Sequence, residues 1–574
     1  MSRVSPLSLD ALFPLFRESW ILYRDPSVIV VDKPWGVPTH EVTPGDVNHV
    51  VARLGAFLKG RGERDYLGIH QRLDKDTSGV LLFTNAPECN RAIAMEMEQR
   101  RAEKHYTAAV MLPKSTPQKG TLRGYLLKEK GGTAAVYSKK PKNPAAQEAI
   151  THYRVIERRG DRALLHVELE TGRMHQIRAQ FAQAGFPVAG DTLYEGPPAV
   201  RLMLHASHLR LNHPSGKGKI DVRSKAPIEF ERWLLNAAQL PQTAHEIEWR
   251  LRAAAEKRAG IYNEAMPDGE RLTTAFRLAN GAGDELPGIE VDLYQNHLLV
   301  SLVSPEAEAL KDVILDASQA LGAEGVYLKI RPKHASVLSP AERQLRTPSH
   351  AVRGKDAPPE FLVKENGLGF WVRLGDGLQT GLFLDQRDNR KRVREISGGL
   401  SVLNLFAYTG AFTVAAAAGG ALKTTTVDVA AGVLERARKN LDTMGAAAAD
   451  HSMIDMDAVA YLKGAQKRGE RYDLVILDPP SFATTKSSTF SAKDHLGDVI
   501  ALAIHVTAGG GRLLVSTNHK GIGRMRLRRT IHEAARDAGR DLWQVKDLPG
   551  TVDFPPDPMG ESPMKSVLVT VSNV

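Results

Sequence analysis

The stretch SVLNLFAYTGAFTVAAAAGG (401–420) decides the fold of the carboxy-terminal half. Its short apolar run predicts a strand, a turn containing Gly410 follows, and small residues then continue as a helix. A glycine in such a turn lets the backbone approach a bound cofactor closely. About twenty residues on, Asp428 ends the next predicted strand, KTTTVDV (423–429), where a carboxylate can accept both hydroxyls of a ribose. The turn lacks the GxGxxG pattern, so a nicotinamide dinucleotide fits it less well than another nucleoside cofactor.

Outward from this turn, YDLVILD (472–478) and GRLLVST (511–517) read as further strands, with AAGVLERARKNLDTMG (430–445) as a helix. Apolar strands interleaved with helices predict a doubly wound, mostly parallel, Rossmann-like α/β sheet from residue 361 to 574. Ligands of such sheets bind beyond the carboxyl ends of the strands. There LDPPSF (477–482) places Asp478 at a strand end, and two prolines after it make a rigid turn. Phe482 then offers a face on which a base can stack.

The sequence before this sheet has a different texture. Up to about residue 235, SVIVVDKPWGVP (27–38), GVLLFT (79–84) and RALLHVELETG (162–172) are strand-like, the last with clear two-fold alternation. This pattern predicts an α+β domain with a mixed, largely antiparallel sheet over residues 1–240. A Pro-broken turn and an alanine-rich charged helix (236–260) open a second part, 241–360, a linker helix and small α+β domain. Its strand candidates are NHLLVSLV (296–303) and GVYLKI (325–330). The expected architecture is therefore multidomain, as 574 residues already require.

Composition narrows the function. A net charge of +10 attracts polyanions, so nucleic acid is a reasonable partner, although many proteins are mildly basic without one. One cysteine, Cys89, excludes an internal disulfide and a multi-cysteine zinc site. The chain holds no run of about 18 apolar residues, and its start lacks the basic and apolar regions of a signal peptide. A soluble, cytoplasmic protein without a membrane partner is expected.

Chemistry is legible in both halves. In IHQRLDKDTSGVLLF (69–83), Asp74 lies on a turn entering a buried strand, with Arg72 and Lys75 as flanking cations that would hold the carboxylate ionised, as a nucleophile requires. An isolated Arg-Leu-Asp triplet is usually only a surface salt-bridged turn. Four further segments change that reading: VIVVDKPWGVPTH (28–40), KHYTAAV (104–110), ETGRMHQIRAQFAQAGFPVAGDTLY (170–194) and LMLHASHLRLNHP (202–214). In order and spacing these resemble the RluA family of pseudouridine synthases over residues 20–235. The resemblance implies that Asp74 is the nucleophile, that Tyr106 stacks on the target base, and that Arg178 pairs with Asp74 or a phosphate. Arg72 would contact substrate. No cofactor is needed, because uracil is detached, turned and rejoined through ring carbon 5 in a pocket for a flipped nucleotide. The family usually has His before Arg-Leu-Asp, where this chain has Gln71, and often Thr and His where it has Met174 and Gln180. These departures bear on substrate choice. His205, His208 and His213 form a cluster with no carboxylate or cysteine close in sequence, and are expected to be structural or RNA-contacting rather than metal ligands.

In the other half, GLQTGLFLDQRDNR (377–390), the Gly410 turn, LDPPSF and the middle segment TTAFRLANGAGDELPGIEVDLY (273–294) together resemble the RlmI and RlmK methyltransferases over residues 250–574. That resemblance implies S-adenosylmethionine as cofactor and large-subunit (23S) ribosomal RNA as substrate. It further implies that Phe383, Asp385 and Arg387 border the cofactor, with Asn404, Tyr408 and Gly410 beneath it. Asp428 would hold the ribose, Asp457 the adenine side, and Asp478 with Pro479 would shape the methyl-transfer cleft. RlmI-like enzymes resemble a design in which cytosine carbon 5 is methylated through a covalent cysteine adduct. This chain has no cysteine after Cys89, and its LLVSTNHKGIG (513–523) looks more like RlmK, which methylates guanine nitrogen 7. A nitrogen lone pair needs only placement against the sulfonium methyl. Guanine nitrogen 7 is therefore the expected target and cytosine carbon 5 the alternative, with Ser516, Thr517 and His519 standing where a nucleophile and base would be. Lys520, Arg524, Arg526, Arg528 and Arg529 could track phosphates or form a solvated helix face. A decayed, RNA-binding assembly factor is the competing class, and loss of Asp74 or of the Gly410–Asp428–Asp478 series would have favoured it.

Overall fold

The computed structural model describes residues 9–41, 49–129, 133–199, 201–216, 218–236, 240–266, 269–331, 340–445, 450–484, 489–556 and 562–573. The chain divides into two compact units, one of residues 14–239, the other of 240–556 together with 9–13 and 562–573. Among the described residues no helix is long and apolar enough to cross a membrane.

The first unit is built on one sheet of eleven strands: β1 (Ile21–Arg24), β2 (Val28–Lys33), β3 (Gly68–Ile69), β4 (Ser78–Thr84), β5 (Glu103–Met111), β6 (Lys119–Lys128), β7 (Ala134–Tyr137), β8 (Gln147–Arg159), β9 (Arg162–Leu169), β10 (Leu204–Asn212) and β11 (Lys219–Arg223). Its order is β1-β2-β4-β10-β5-β9-β8-β6-β7, with β11 on β10 and β3 on β4. Only β4 and β10 pair in parallel; the other pairs are antiparallel. Every residue of β4 is buried, which is why its sequence reads as an unbroken apolar run. In β9, Ala163, Leu165, Val167 and Leu169 alternate inward, as the two-fold pattern predicts for a half-buried strand. Gly79 is forced by the β4–β10 approach, where a Cβ would stand 2.2 Å from the Ala206 carbonyl oxygen.

The second unit begins with helix Ala244–Lys257, whose Thr243 cap accepts the Glu246 amide and whose Ile247, Leu251, Ala254 and Ala255 are buried at helical spacing. This face lies against a sheet of β12 (Ala275–Asn280), β13 (Ile289–Tyr294), β14 (His297–Leu302), β15 (Gly325–Ile330) and β16 (Arg353–Gly354). The hairpin β17 (Phe361–Glu365) and β18 (Leu368–Val372) follows. A seven-stranded sheet contains β19 (Ser401–Leu405), β20 (Lys423–Asp428), β21 (His451–Asp455), β22 (Tyr472–Leu477), β25 (Thr507–Thr517), β26 (Leu542–Leu548) and β27 (Lys565–Val571), with a small pair, β23 (Phe482–Thr484) and β24 (Thr489–Ser491), beside it. Counted within this sheet the order is 3-2-1-4-5-7-6, with only the seventh strand antiparallel to its neighbours.

The observed division differs from the expected domains in two places. Leu9, Leu12 and Phe13 join the core of the second unit, so the stretch 1–240 does not act as one body. The stretches 241–360 and 361–574 form one unit because they share a core, in which Tyr294, Leu299 and Tyr327 pack with Phe361, Phe370, Leu382, Leu384, Val414 and Leu441. Burying each such side chain contributes about 1.5–3 kcal/mol, enough to merge two layers into one cooperative body.

Candidate active sites

In the first unit, Asp74 sits on the turn between β3 and β4, and that turn is pinned from below. The Thr39 hydroxyl donates to the Leu73 carbonyl (2.9 Å) and accepts its amide (3.1 Å). Lys33, fully buried at the end of β2, donates to the carbonyls of Pro34, Val37 and Lys75 at 2.9, 2.6 and 2.9 Å. An ammonium has three protons to donate, and here each finds an acceptor. Burial pulls the Lys33 amine down to about 7.

The Asp74 carboxylate accepts from Arg178 Nη1 at 3.0 Å. Arg178 directs its other edge at Asp191, through Nε at 2.7 Å and Nη2 at 2.8 Å, so one guanidinium bridges two carboxylates. Burial opposes its charge, but Asp191 and Asp74 outweigh burial and push the guanidinium's pKa up. Asp191 is itself fixed by the amides of Leu193 and Tyr194, both at 3.2 Å. His175 Nε2 stands 3.7 Å from Asp74, and its Nδ1 is 3.2 Å from the Tyr194 hydroxyl. Tyr106, half-buried on β5, has its phenol pushed up by burial and secondarily by the Asp74 charge, which keeps it neutral.

The expected flanking cations do not pair with Asp74. Arg72 and Lys75 are both exposed, and among the described residues the ion-pair partner is Arg178, 104 positions downstream. The helix Gln176–Gln183 supplies that charge from inside the fold, where it is shielded from water and stronger than a surface lysine. The histidines also differ in detail from the expectation. Carboxylates do stand beside two of them: Asp221, on the adjoining strand β11, and Asp25 lie 2.8 and 2.7 Å from His208 and His213. His205 is buried between Ser78 and Ser224, and burial holds it near 4, a neutral packing residue.

In the second unit the strand order reverses between β19 and β22, which opens a crevice beyond their carboxyl ends. One wall is the 406–410 turn, with Phe406, Tyr408 and Gly410 all left-handed at φ 55°, 49° and 68°. Two of the three carry side chains, and such residues cost of order 1–3 kcal/mol each unless the surroundings fix them. They are fixed: Ala407 donates to the Val427 carbonyl (3.1 Å), and the Tyr408 amide donates to Asp428 Oδ2 (2.8 Å). Asp428 Oδ1 accepts the Ala430 amide at 3.2 Å. The other wall is Asp478 and Pro479. Asp478 Oδ2 accepts from Gln386 Nε2 at 2.9 Å, and burial, then the neighbouring Asp385, pushes its carboxyl up to about 7. Burial likewise pushes Asp385 up to about 6, and its Oδ1 is shielded from solvent with no hydrogen-bond partner among the described residues. Phe383 is 40% exposed, its ring 5.2 Å from Tyr408, and Phe482 is 65% exposed at the start of β23.

Several expected cofactor residues are occupied otherwise. Arg387 is buried in a two-bond pair with Asp553 (2.8 and 2.7 Å), which makes it a strut rather than a border of the crevice. Asn404 donates to Thr413 Oγ1 at 3.0 Å and ties β19 to the following helix. Asp457 caps helix Ala458–Lys467 by accepting the Ala460 amide at 2.9 Å. Gly410 is required by its positive φ and by Ala437, whose Cβ would lie 2.7 Å from an added one, so helix packing demands the glycine. Ser516 is buried and bonded to Ser566 (2.9 Å), Thr517 accepts the His519 amide (3.2 Å), and His519 Nδ1 accepts the Gly521 amide (3.0 Å). Arg524, Arg526 and Arg529 are exposed, whereas Arg528 pairs with Asp547 at 3.0 Å.

Residue-by-residue reading missed Lys33, Thr39, Asp191, Gln386 and Asp553. Lys33 and Asp191 stand inside the motifs DKPWG and AGDTLY, but only the fold shows what they hold. Chemically the crevice fits S-adenosylmethionine, since two close carboxyls, one with an orphaned oxygen, suit a guest bearing sulfonium and ammonium charges.

Comparison with known proteins finds a matching family for each unit. Residues 277–569 match the family of S-adenosylmethionine-dependent methyltransferases, and residues 27–183 match RNA pseudouridylate synthase. The Bacillus subtilis (strain 168) protein YwbD is 36% identical over 308 residues, covering 53% of this chain and 74% of YwbD. The ribosomal RNA large subunit methyltransferase I of Aeromonas salmonicida (strain A449) is 31% identical, covering 49% and 70%. Among solved structures, SMU.776 complexed with SAH superposes with a TM-score of 0.50 at 28% identity, over 62% of this chain and 86% of that one. This chain thus belongs to the S-adenosylmethionine-dependent methyltransferases, uses S-adenosylmethionine as methyl donor, and carries an RNA pseudouridine synthase in the same polypeptide.

Proposed function

We propose that the protein modifies large-subunit ribosomal RNA twice, isomerising uridine to pseudouridine in its first unit and methylating guanine nitrogen 7 in its second. The ribosomal substrate is supported by relatives such as the large subunit methyltransferase I of Aeromonas salmonicida. Asp74 acts as nucleophile, Arg178 fixes its carboxylate, and Tyr106 stacks on the flipped base as a neutral phenol. In the second unit, Phe383, Tyr408 and the Gly410 turn flank the cofactor, and Asp428 takes the ribose with the lone pairs its two amide bonds leave free. Asp457, two residues beyond β21, borders the adenine side. Asp385, Asp478 and Pro479 shape the methyl-transfer cleft, and Phe482 stacks on the incoming base. A cytoplasmic location goes with this substrate.

The observation that carries the choice of nitrogen 7 is the state of the β25 end. Methylating cytosine carbon 5 needs a nucleophile, and Ser516 is sealed against Ser566 while His519 Nδ1 is spent on Gly521. No thiol occurs after Cys89. Similarity to relatives named methyltransferase I keeps cytosine carbon 5 as the second reading. Mass-spectrometric mapping of ribosomal RNA from a deletion strain should show pseudouridine and one 7-methylguanosine lost together. Loss of 5-methylcytidine in place of 7-methylguanosine would select the second reading.

A further inference from the structure

We infer that segment Leu9–Phe13 is a built-in docking peptide of the methyltransferase unit, so that the pseudouridine synthase is an insertion into that unit's leading arm. The chain leaves the methyltransferase unit after residue 13 and re-enters it at residue 240. Leu9, Leu12 and Phe13 are 6%, 1% and 1% exposed, within a core that includes Ile247, Leu251, Ala255, Tyr262 and Phe276. Phe13 stacks on Tyr262 with centroids 4.0 Å apart and meets Phe276 edge-on at 5.7 Å. The Asn263 side-chain amide donates to the Phe13 carbonyl at 2.5 Å and to that of Ala259 at 2.8 Å, which orients the end of the peptide.

The local sequence explains the docking. Leu9, Leu12 and Phe13 have i, i+3, i+4 spacing, so the single turn Leu9–Leu12 brings them to one face. Pro14 then ends the turn. A turn this short has no stability of its own, because nucleation is unfavourable, and only burial of the three side chains can hold it. Conversely, helix Ala244–Lys257 would expose part of its apolar face without the peptide, a patch that solvent-facing helices avoid. The groove therefore recognises an apolar turn of the form Leu-x-x-Leu-Phe, entering as a helix-in-groove ligand does. Phe16, three residues on, belongs to a core of the other unit, so the switch is completed within Pro14–Leu15.

Hydrogen exchange on the full-length protein tests the docking without any variant and without reference to either activity. Amides of residues 9–13 should exchange at least about a hundredfold more slowly than in a free peptide of residues 5–16. Exchange at the free-peptide rate would overturn the inference. In a second arm, the full-length Leu12→Asp, Phe13→Asp variant should lose several degrees in the melting transition that S-adenosylmethionine raises, while pseudouridine formation persists. Adding the wild-type 5–16 peptide in excess should restore that transition, and a peptide with Asp at both positions should not. An unchanged S-adenosylmethionine-responsive transition in the variant would equally reject the docking role.

Discussion

Asp74 lies on the turn that leads into a buried strand and Asp478 directly follows one, yet the chain surrounds them with opposite electrostatics. Asp74, four residues before β4, has a guanidinium at 3.0 Å that is itself braced by a second carboxylate. Asp478, directly after β22, has an amide donor and a second carboxyl near it, and burial pushes it up to about 7. The difference suits the role proposed for each. A nucleophile works as an anion before substrate arrives, so its countercharge is built into the protein. A carboxyl that is to face a cationic guest can leave the countercharge to that guest, at the cost of being poised near neutrality when empty.

The largest effect that can break this comparison is loss of the anion itself. Asp74→Asn should lower pseudouridine formation by about a thousandfold or more, since Asp74, not Asp76, the turn's other carboxylate, is the group that Arg178 holds. Methylation by the same protein should stay within twofold. Nucleoside analysis of one RNA incubated with both donor and enzyme reads the two products together. Substantial pseudouridine from the variant would remove Asp74 from its proposed role.

Arg178→Lys asks whether the countercharge or its fork matters. Lysine keeps the charge but cannot bridge Asp74 and Asp191 with planar, two-edged geometry. A fall of about tenfold to a hundredfold in kcat, with KM little changed, is expected for a group that holds the nucleophile in place. A KM effect alone would point to phosphate binding instead.

How much of this was legible beforehand depends on whether a residue's role is local. The strands around SVLNLF, YDLVILD and GVYLKI follow from burial patterns that a short window contains, and β15 runs over Gly325–Ile330 as read. The Gly410 turn and Asp478 at a strand end were visible for the same reason. Arg178 as the partner of Asp74, 104 positions away, was reachable only through the family resemblance, which left a phosphate as the alternative, whereas Arg387 as the strut for Asp553 and the docking of Leu9–Phe13 are contacts across 166 and more than 230 positions that no short window contains. Neighbouring Arg72 and Lys75 looked sufficient because charge proximity in sequence mimics proximity in space, and the fold then turned both outward.

The pH response of the second site sharpens the other side of the comparison. Asp478 is raised from the ordinary carboxyl value of 3.8 to about 7, so it is mostly neutral at pH 6 and mostly anionic at pH 8. Affinity for S-adenosylmethionine should therefore rise severalfold between those values, as ionisation adds attraction to the sulfonium. Stability of the empty protein runs the other way. A group with a raised folded-state pKa contributes stability that is full below its unfolded value and is lost as pH climbs through about 7. Titration calorimetry and melting curves at pH 6 and 8 should thus show opposite slopes, and Asp478→Asn should flatten both. Slopes of the same sign would show that Asp478 does not face the cofactor.

The smallest expected effect is the one that tests whether the two halves share any chemistry. Cys89 is the only thiol in the chain, and it lies in the pseudouridine synthase unit on the short turn Pro87–Cys89. If methylation ran through a covalent adduct, this thiol or an activated hydroxyl would have to supply it. A hydroxyl is a far weaker nucleophile than a thiolate at neutral pH unless a base adjoins it. Ser516 has Ser566 rather than a base as its partner, and Thr517 Oγ1 meets the His519 amide rather than its ring. Cys89→Ser should therefore methylate at the unaltered rate, and RNA carrying 5-fluorocytosine should not be retained on the enzyme in denaturing gels. A methyl-dependent adduct with the fluorinated RNA would transfer the target to cytosine carbon 5. If Cys89→Ser abolished that adduct, the asymmetry between the halves would fall as well, because one unit's thiol would then serve the other unit's reaction.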